Sequence, residues 1–132
     1  MFTIDRPVTI DEAMNISPVV LAFVGDAVET LYVRTRLSLE SSAKSGKLHR
    51  LTAERINAHS QAVSAAKVMP LLDDTEISVF HHGRNTHTTS QAKNASPADY
   101  HNATGFEALL GFLYLTGRSE RLDQLLTAAF AE

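Results

Sequence analysis

The sequence predicts an all-α domain, and three observations carry that reading. Apolar residues recur at helical spacing through most of the chain, no segment alternates apolar and polar residues with period two, and three of the four prolines stand where helices begin or end. The 132 residues fit one domain spanning 1–132, and 44% hydrophobic content is enough to bury a core rather than leave the chain disordered.

The elements follow in order. Thr9 and Glu12 form an S/T-x-x-E start signal for a short helix over 10–15. Ser17-Pro18 opens a second helix over 18–38, with the serine as N-cap and the proline at the first helical position. A third is expected over 46–69, where Leu48, Leu51, Ala58, Ala62, Ala66 and Met69 recur at helical spacing before Pro70 closes the pattern. Asp73 and Glu76 bracket the start of a fourth over 74–82, with Gly83 as its stop. Ser96-Pro97 repeats the serine–proline device, and Asp99 completes a capping-box-like arrangement, for a fifth helix over 98–116. A sixth is expected over 119–130. Residues 83–97, "GRNTHTTSQAKNASP", lack a helical pattern, and long polar connections of this kind are more often functional than filler.

Composition excludes several classes. The absence of cysteine rules out disulfides and thiolate metal sites and suits a reducing cytoplasm. No apolar run is long enough to span a bilayer without a charge, and the acidic N-terminus lacks the pattern of a signal peptide, so a cytoplasmic protein with no membrane partner is expected. G-x-S-x-G, P-loop and G-x-G-x-x-G motifs are absent, and "HHGRNTH" matches no zinc-ligand spacing. His49 and His59 read as helix-surface residues.

A net charge of −3 argues at first against a nucleic-acid partner, but the distribution argues the other way. Between Ser41 and Leu72, Lys44, Lys47, Arg50, Arg55 and Lys67 stand against Glu54 alone, a local charge of +4 (5 minus 1). Between Ile77 and Ala98, Arg84 and Lys93 stand with no acid. Such a segment and loop can bind a polyanion through its phosphates, and with few aromatic residues among the bases the fit is to a duplex backbone rather than to stacked single-stranded bases. A solvated helix face and a polar loop are the plain alternative.

Two acids are placed most awkwardly. Asp26 lies about two turns inside the helix that starts at Pro18, in "VVLAFVGDAVETLYV", too far in to be a cap. Glu107 lies in "ATGFEALLGFLYL", on one face with Ala103, Leu110, Gly111 and Tyr114. A buried carboxylate without a partner is expensive, and no lysine or arginine lies within a helical turn of either residue. The partner must come from elsewhere in the fold or be a bound cation. Two carboxylates on two packed helices suit Mg²⁺ or Mn²⁺, and Gly25 and Gly111 would let the backbones approach. The alternative is that each acid simply faces solvent.

The motifs also carry a resemblance. "LAFVGDAV" resembles the signature of the ribonuclease III catalytic domain, and "FEALLGFLYL" resembles that family's second motif. "LAFVGDAVETLYVR", "HHGRNTHTTSQAKN" and "FEALLGFLYLTGRSERL", in a short chain with no double-stranded-RNA-binding domain, are similar to the Mini-ribonuclease III branch. The resemblance covers nearly the whole chain. It implies a helical bundle of about five to seven helices and a Mg²⁺-dependent endoribonuclease, with Mn²⁺ as substitute, that cleaves double-stranded RNA. In that branch the implied role is maturation of the large-subunit (23S) ribosomal RNA precursor. Asp26 and Glu107 are carried over as catalytic metal ligands, Phe23 as the residue that meets the partner subunit of a homodimer, and Arg84, Asn85, Lys93 and Asn94 as loop residues that engage RNA. Lys47 and Arg50 are expected to neutralise phosphates beside them. A ribosomal protein that presents the RNA is a further implied partner. The larger enzymes carry acids where this chain has Ala22 and Thr104, which implies one well-held ion with more water ligands. The alternative from another class is a non-catalytic RNA-binding or ribosome-assembly module on the same fold.

Overall fold

A computed structural model describes residues 4–86 and 96–131. Its helices are α1 (Ile10–Met14), α2 (Pro18–Glu40), α3 (Ser45–Arg55), α4 (Ala58–Val68), α5 (Asp74–Arg84), α6 (Pro97–Leu115) and α7 (Ser119–Ala129), with a 3-10 turn at Met69–Leu71, and there is no strand among the described residues. The all-α expectation holds.

The local signals account for most boundaries. Thr9 and Glu12 form a full capping box at α1, and Asp73 and Glu76 form another at α5. Ser96 accepts from the Asp99 N–H at 3.1 Å, but the Asp99 carboxylate turns to His59 Nδ1 at 2.9 Å instead of completing a box. Ser17 makes no side-chain cap bond, so Pro18 carries that helix start.

Two expectations need correction. The single helix over 46–69 is two helices, α3 and α4. Asn57 breaks it: its backbone is extended, its side chain accepts from the Ser60 N–H at 2.9 Å, and its amide donates back to the Ala53 and Glu54 carbonyls at 3.3 and 3.0 Å. One side chain thus closes α3 and opens α4. Gly83 does not stop α5, which runs on to Arg84. A Cβ at Gly83 would come 2.8 Å from the Ala108 Cβ and 2.9 Å from the Gly105 Cα, so this glycine serves the crossing of α5 over α6.

The centre of the bundle is α6. From Ala103 to Leu113 every residue except Glu107 is buried. Phe106, Leu109, Leu110, Phe112 and Leu113 are fully enclosed, packed with Leu21 and Val28 of α2, Ala65 and Val68 of α4, Val79 and Phe80 of α5, and Leu122, Leu125 and Leu126 of α7. Each such side chain contributes about 1.5–3 kcal/mol of burial. The helix ends on Gly117 at φ +72°, where Arg118 N–H bonds the Leu113 carbonyl and Gly117 N–H bonds that of Tyr114. This stretch of the central helix is therefore enclosed on all sides, and Glu107 is its exception.

Candidate metal centre

Asp26 comes from the third turn of α2 and Glu107 from the middle of α6, and the fold brings them together. Their carboxyl groups lie close enough for the charge of Asp26 to act on Glu107. The approach depends on two glycines that face one another. A Cβ on Gly25 would overlap the Glu107 carbonyl and come 2.9 Å from the Gly111 nitrogen. One on Gly111 would overlap the Leu21 carbonyl and come 3.1 Å from the Gly25 nitrogen. The two backbones are in direct contact, as the paired glycines predicted.

The burial of the acids differs from expectation. Asp26 is exposed and Glu107 half-buried, whereas Glu29, one turn after Asp26, is fully buried. Sequence reasoning missed Glu29. Its signal was its register: Ala22, Gly25, Glu29 and Val33 share the buried face of α2, with Asp26 at the edge. Gln61 of α4, also buried, donates from Nε2 to Glu29 Oε1 at 3.1 Å and stands near Glu107, while Glu29 Oε2 has no partner among the described residues. Glu76 is a second fully buried acid outside the expected set, but its partners are complete. Arg121 donates to both its oxygens at 2.8 and 2.7 Å, and the Asp73 N–H donates at 2.9 Å.

The electrostatics follow from this crowding. Burial pushes the Glu107 carboxyl up to about 9, with the charges of Asp26 and Glu29 adding and Gln61 opposing. Burial pushes Glu29 up to about 8; the Gln61 bond opposes that and the charge of Asp26 adds to it. Glu29 and Glu107 thus favour their protonated forms, and a cation would relieve the same crowding. The oxygen-only donor set and the orphaned buried oxygen of Glu29 fit a hard divalent ion. Among the described residues no three His, Asp or Glu side chains are arranged to hold one ion between them. An ion at Asp26 and Glu107 would complete its shell largely with water. Ala22 is buried without a polar atom to offer, and the Thr104 hydroxyl donates to the Tyr100 carbonyl of its own helix at 3.1 Å.

The expected RNA-binding residues divide. Lys47 and Arg50 lie on the exposed side of α3, which packs near Arg34, Leu37 and Ser38 of α2. Leu37 is eleven residues beyond Asp26 (37 minus 26), about 16 Å along the helix, so these cations do not reach the acid pair. Arg84 and Asn85 are exposed at the end of α5. The Arg84 backbone nitrogen packs by Gly105, on the face of α6 that meets α5. Lys93 and Asn94 lie outside the described residues. Phe23 is 78% exposed on the outer side of α2. With Val24, Ala27, Leu31 and Tyr114 it lines a shallow apolar depression that reaches Asp26.

The profile of the family described as "Ribonuclease III domain" matches residues 19–118. A Mini-ribonuclease 3 of Brevibacillus brevis is 42% identical over 115 residues, covering 87% of this chain and 86% of that one. A Mini-ribonuclease 3 of Thermoanaerobacter sp. is 40% identical over 118 residues, covering 89% and 83%. Among solved structures, a Fusobacterium nucleatum protein determined by X-ray crystallography superposes with a TM-score of 0.78 at 25% identity, covering 86% of this chain and 90% of that one.

Proposed function

Because the chain belongs to the ribonuclease III family and is an endoribonuclease, we propose that it cleaves double-stranded RNA with a divalent cation, Mg²⁺ or Mn²⁺, held by Asp26 and Glu107, and that its substrate is the large-subunit (23S) ribosomal RNA precursor. The observation that carries this reading is the contact between Asp26 and Glu107 across the glycine notch, crowded by a third carboxylate that needs a counter-charge. When bound, the cation supplies a Lewis acid for the phosphodiester and a water of lowered pKa. Asp26 and Glu107 hold it. Gln61, bonded to Glu29, stands beside Glu107 at the site. Arg84 and Asn85, with Lys93 and Asn94, engage the RNA strand, and Lys47 and Arg50 meet phosphates farther along the duplex.

Two active sites follow from a homodimer built on the apolar side of α2. Val19, Val20, Phe23 and Leu31 are exposed there, and a two-fold axis would place each Phe23 against the partner. A cytoplasmic setting and presentation of the RNA by a ribosomal protein complete the proposal. No described helix is long and apolar enough to cross a membrane.

The test is cleavage of a structured duplex RNA with Mg²⁺ and with EDTA. Asp26→Asn and Glu107→Gln should each abolish cutting while RNA binding survives. Binding without cutting by the unaltered protein, with or without metal, would favour the non-catalytic module. Sedimentation of a Phe23→Asp variant checks the dimer: a wild-type species of monomer mass removes that part.

A further inference from the structure

Glu29 crowds the acid pair but is not one of its two ligands. It is fully buried, one oxygen is held by Gln61, and the other has no partner among the described residues. An unpaired buried acceptor is costly and calls for a reason. Glu76 shows how this chain treats an acid that serves the fold alone. That side chain is equally buried, yet Arg121 and the Asp73 backbone satisfy both its oxygens. Glu29 has the opposite arrangement: its one bonded partner is the neutral amide of Gln61, its neighbours in charge are Asp26 and Glu107, and no described cation is bonded to it.

We propose that Glu29 is a positioning residue for the divalent cation. Gln61 clamps one of its oxygens, the other is left to face the hydrated ion, and Glu29 thereby supplies charge that Ala22 and Thr104 do not. The proposal rests on the reading of Asp26 and Glu107 as metal ligands. It adds that the acid lost from two positions has a counterpart at a third, on the buried face of α2 rather than at its edge. Carboxylates that act on an ion from behind its direct ligands hold its water shell and tune affinity.

The experiment uses the full chain without RNA. Mn²⁺ binding is titrated by electron paramagnetic resonance, and melting is followed in EDTA and in Mn²⁺, for the wild type, Glu29→Gln, Glu29→Met and Asp26→Asn. Glu29→Gln and Glu29→Met should melt in EDTA at or above the wild-type temperature, because a crowded buried carboxylate has gone. Both should bind Mn²⁺ about 10-fold more weakly or worse. Affinity within about twofold of wild type in both variants overturns the proposal, given that outer carboxylates ordinarily matter by more than that. Unfolding of both variants in EDTA also overturns it, since that marks Glu29 as structural. Asp26→Asn separates the two levels. If it binds Mn²⁺ as tightly as wild type, the metal site itself is wrong; if it loses Mn²⁺ while the Glu29 variants keep it, Glu29 alone falls.

Discussion

Replacing Gly111 with alanine tests the contact between α2 and α6 with a single carbon. The added Cβ would overlap the Leu21 carbonyl and crowd the Gly25 nitrogen at 3.1 Å. Both obstacles are backbone of the 23-residue helix α2, so no side chain can rotate away. To restore ordinary non-bonded separation the helices must part by roughly 1 Å or more. Overpacking costs about 1–3 kcal/mol where neighbours can yield, and a backbone neighbour puts this site at or above the upper end. Alanine returns about 1 kcal/mol of helix propensity, leaving a net loss of about 2 kcal/mol or more. For a chain of this size that is a fall of about 6–10 °C in melting temperature. The same displacement separates Asp26 from Glu107, and misplacement by about 1 Å can cost about 10²-fold in rate. The matched control is Gly46→Ala. Nothing lies within 4 Å of a Cβ there, and the site is in the first turn of α3, so the substitution should stabilise by about 0.4–1 kcal/mol. Thermal melts and duplex-cleavage rates for both variants decide it. A Gly111→Ala protein that melts with the wild type and cuts at the wild-type rate would refute the backbone-contact argument.

Three further outcomes are expected. Arg121→Met leaves Glu76 buried without its cation and should destabilise by about 3–5 kcal/mol in urea titration. Burial alone would raise the Glu76 carboxyl, yet the Arg121 hydrogen bonds and the Asp73 N–H outweigh it and hold it low, so this contribution is present at neutral pH and lost as pH falls through the acid range. Glu29 and Glu107 have the opposite sign. Raised to about 8 and about 9, they keep protons that the unfolded chain has released, so in EDTA the stability they support is full near pH 4 and falls as pH rises. Between pH 7 and 9 the slope should reach up to about 1.4 kcal/mol per pH unit for each group, and saturating Mg²⁺ should flatten or reverse it. Denaturant midpoints across that range measure it, and a rising slope in EDTA would contradict the crowding. Finally, Lys47→Ala and Arg50→Ala should each lower the slope of log affinity for duplex RNA against log salt by about one, without moving the Asp26–Glu107 pair.

Much of the fold was legible because its signals are local. Thr9–Glu12, Asp73–Glu76 and Ser96-Pro97 mark helix starts through bonds to residues three positions away, and the structure keeps them. The break at Asn57 was hidden because apolar spacing continues across it, while the event itself is one side chain bonding in both directions. The meeting of Asp26 with Glu107 was legible from cost and from glycines, since a packed carboxylate needs a partner and a close approach needs a missing Cβ. Glu29 was not, because distance from helix ends and neighbouring charges do not reveal the face an acid occupies. Gln61 could not be read at all: its role depends on α4 packing on α6, which brings this side chain to Glu29 of α2 and which no local pattern specifies. Gly83 was read as a terminator because that is the commoner use of glycine at a helix end, and its actual neighbour, Gly105, is 22 positions away (105 minus 83).

The glycine notch has one more consequence. Where side chains separate two helices, the gap is a sum of rotamers and shifts whenever the core is repacked. Between Gly25 and Gly111 there is only main chain, which has no rotamers to choose. Substitutions at Leu109, Leu113 or Leu125 can therefore raise or lower the melting temperature while leaving the reach between Asp26 and Glu107 where it was. Durability and ligand spacing become separately adjustable quantities in this protein, and a chain drifting in sequence can lose much of the first before it loses any of the second.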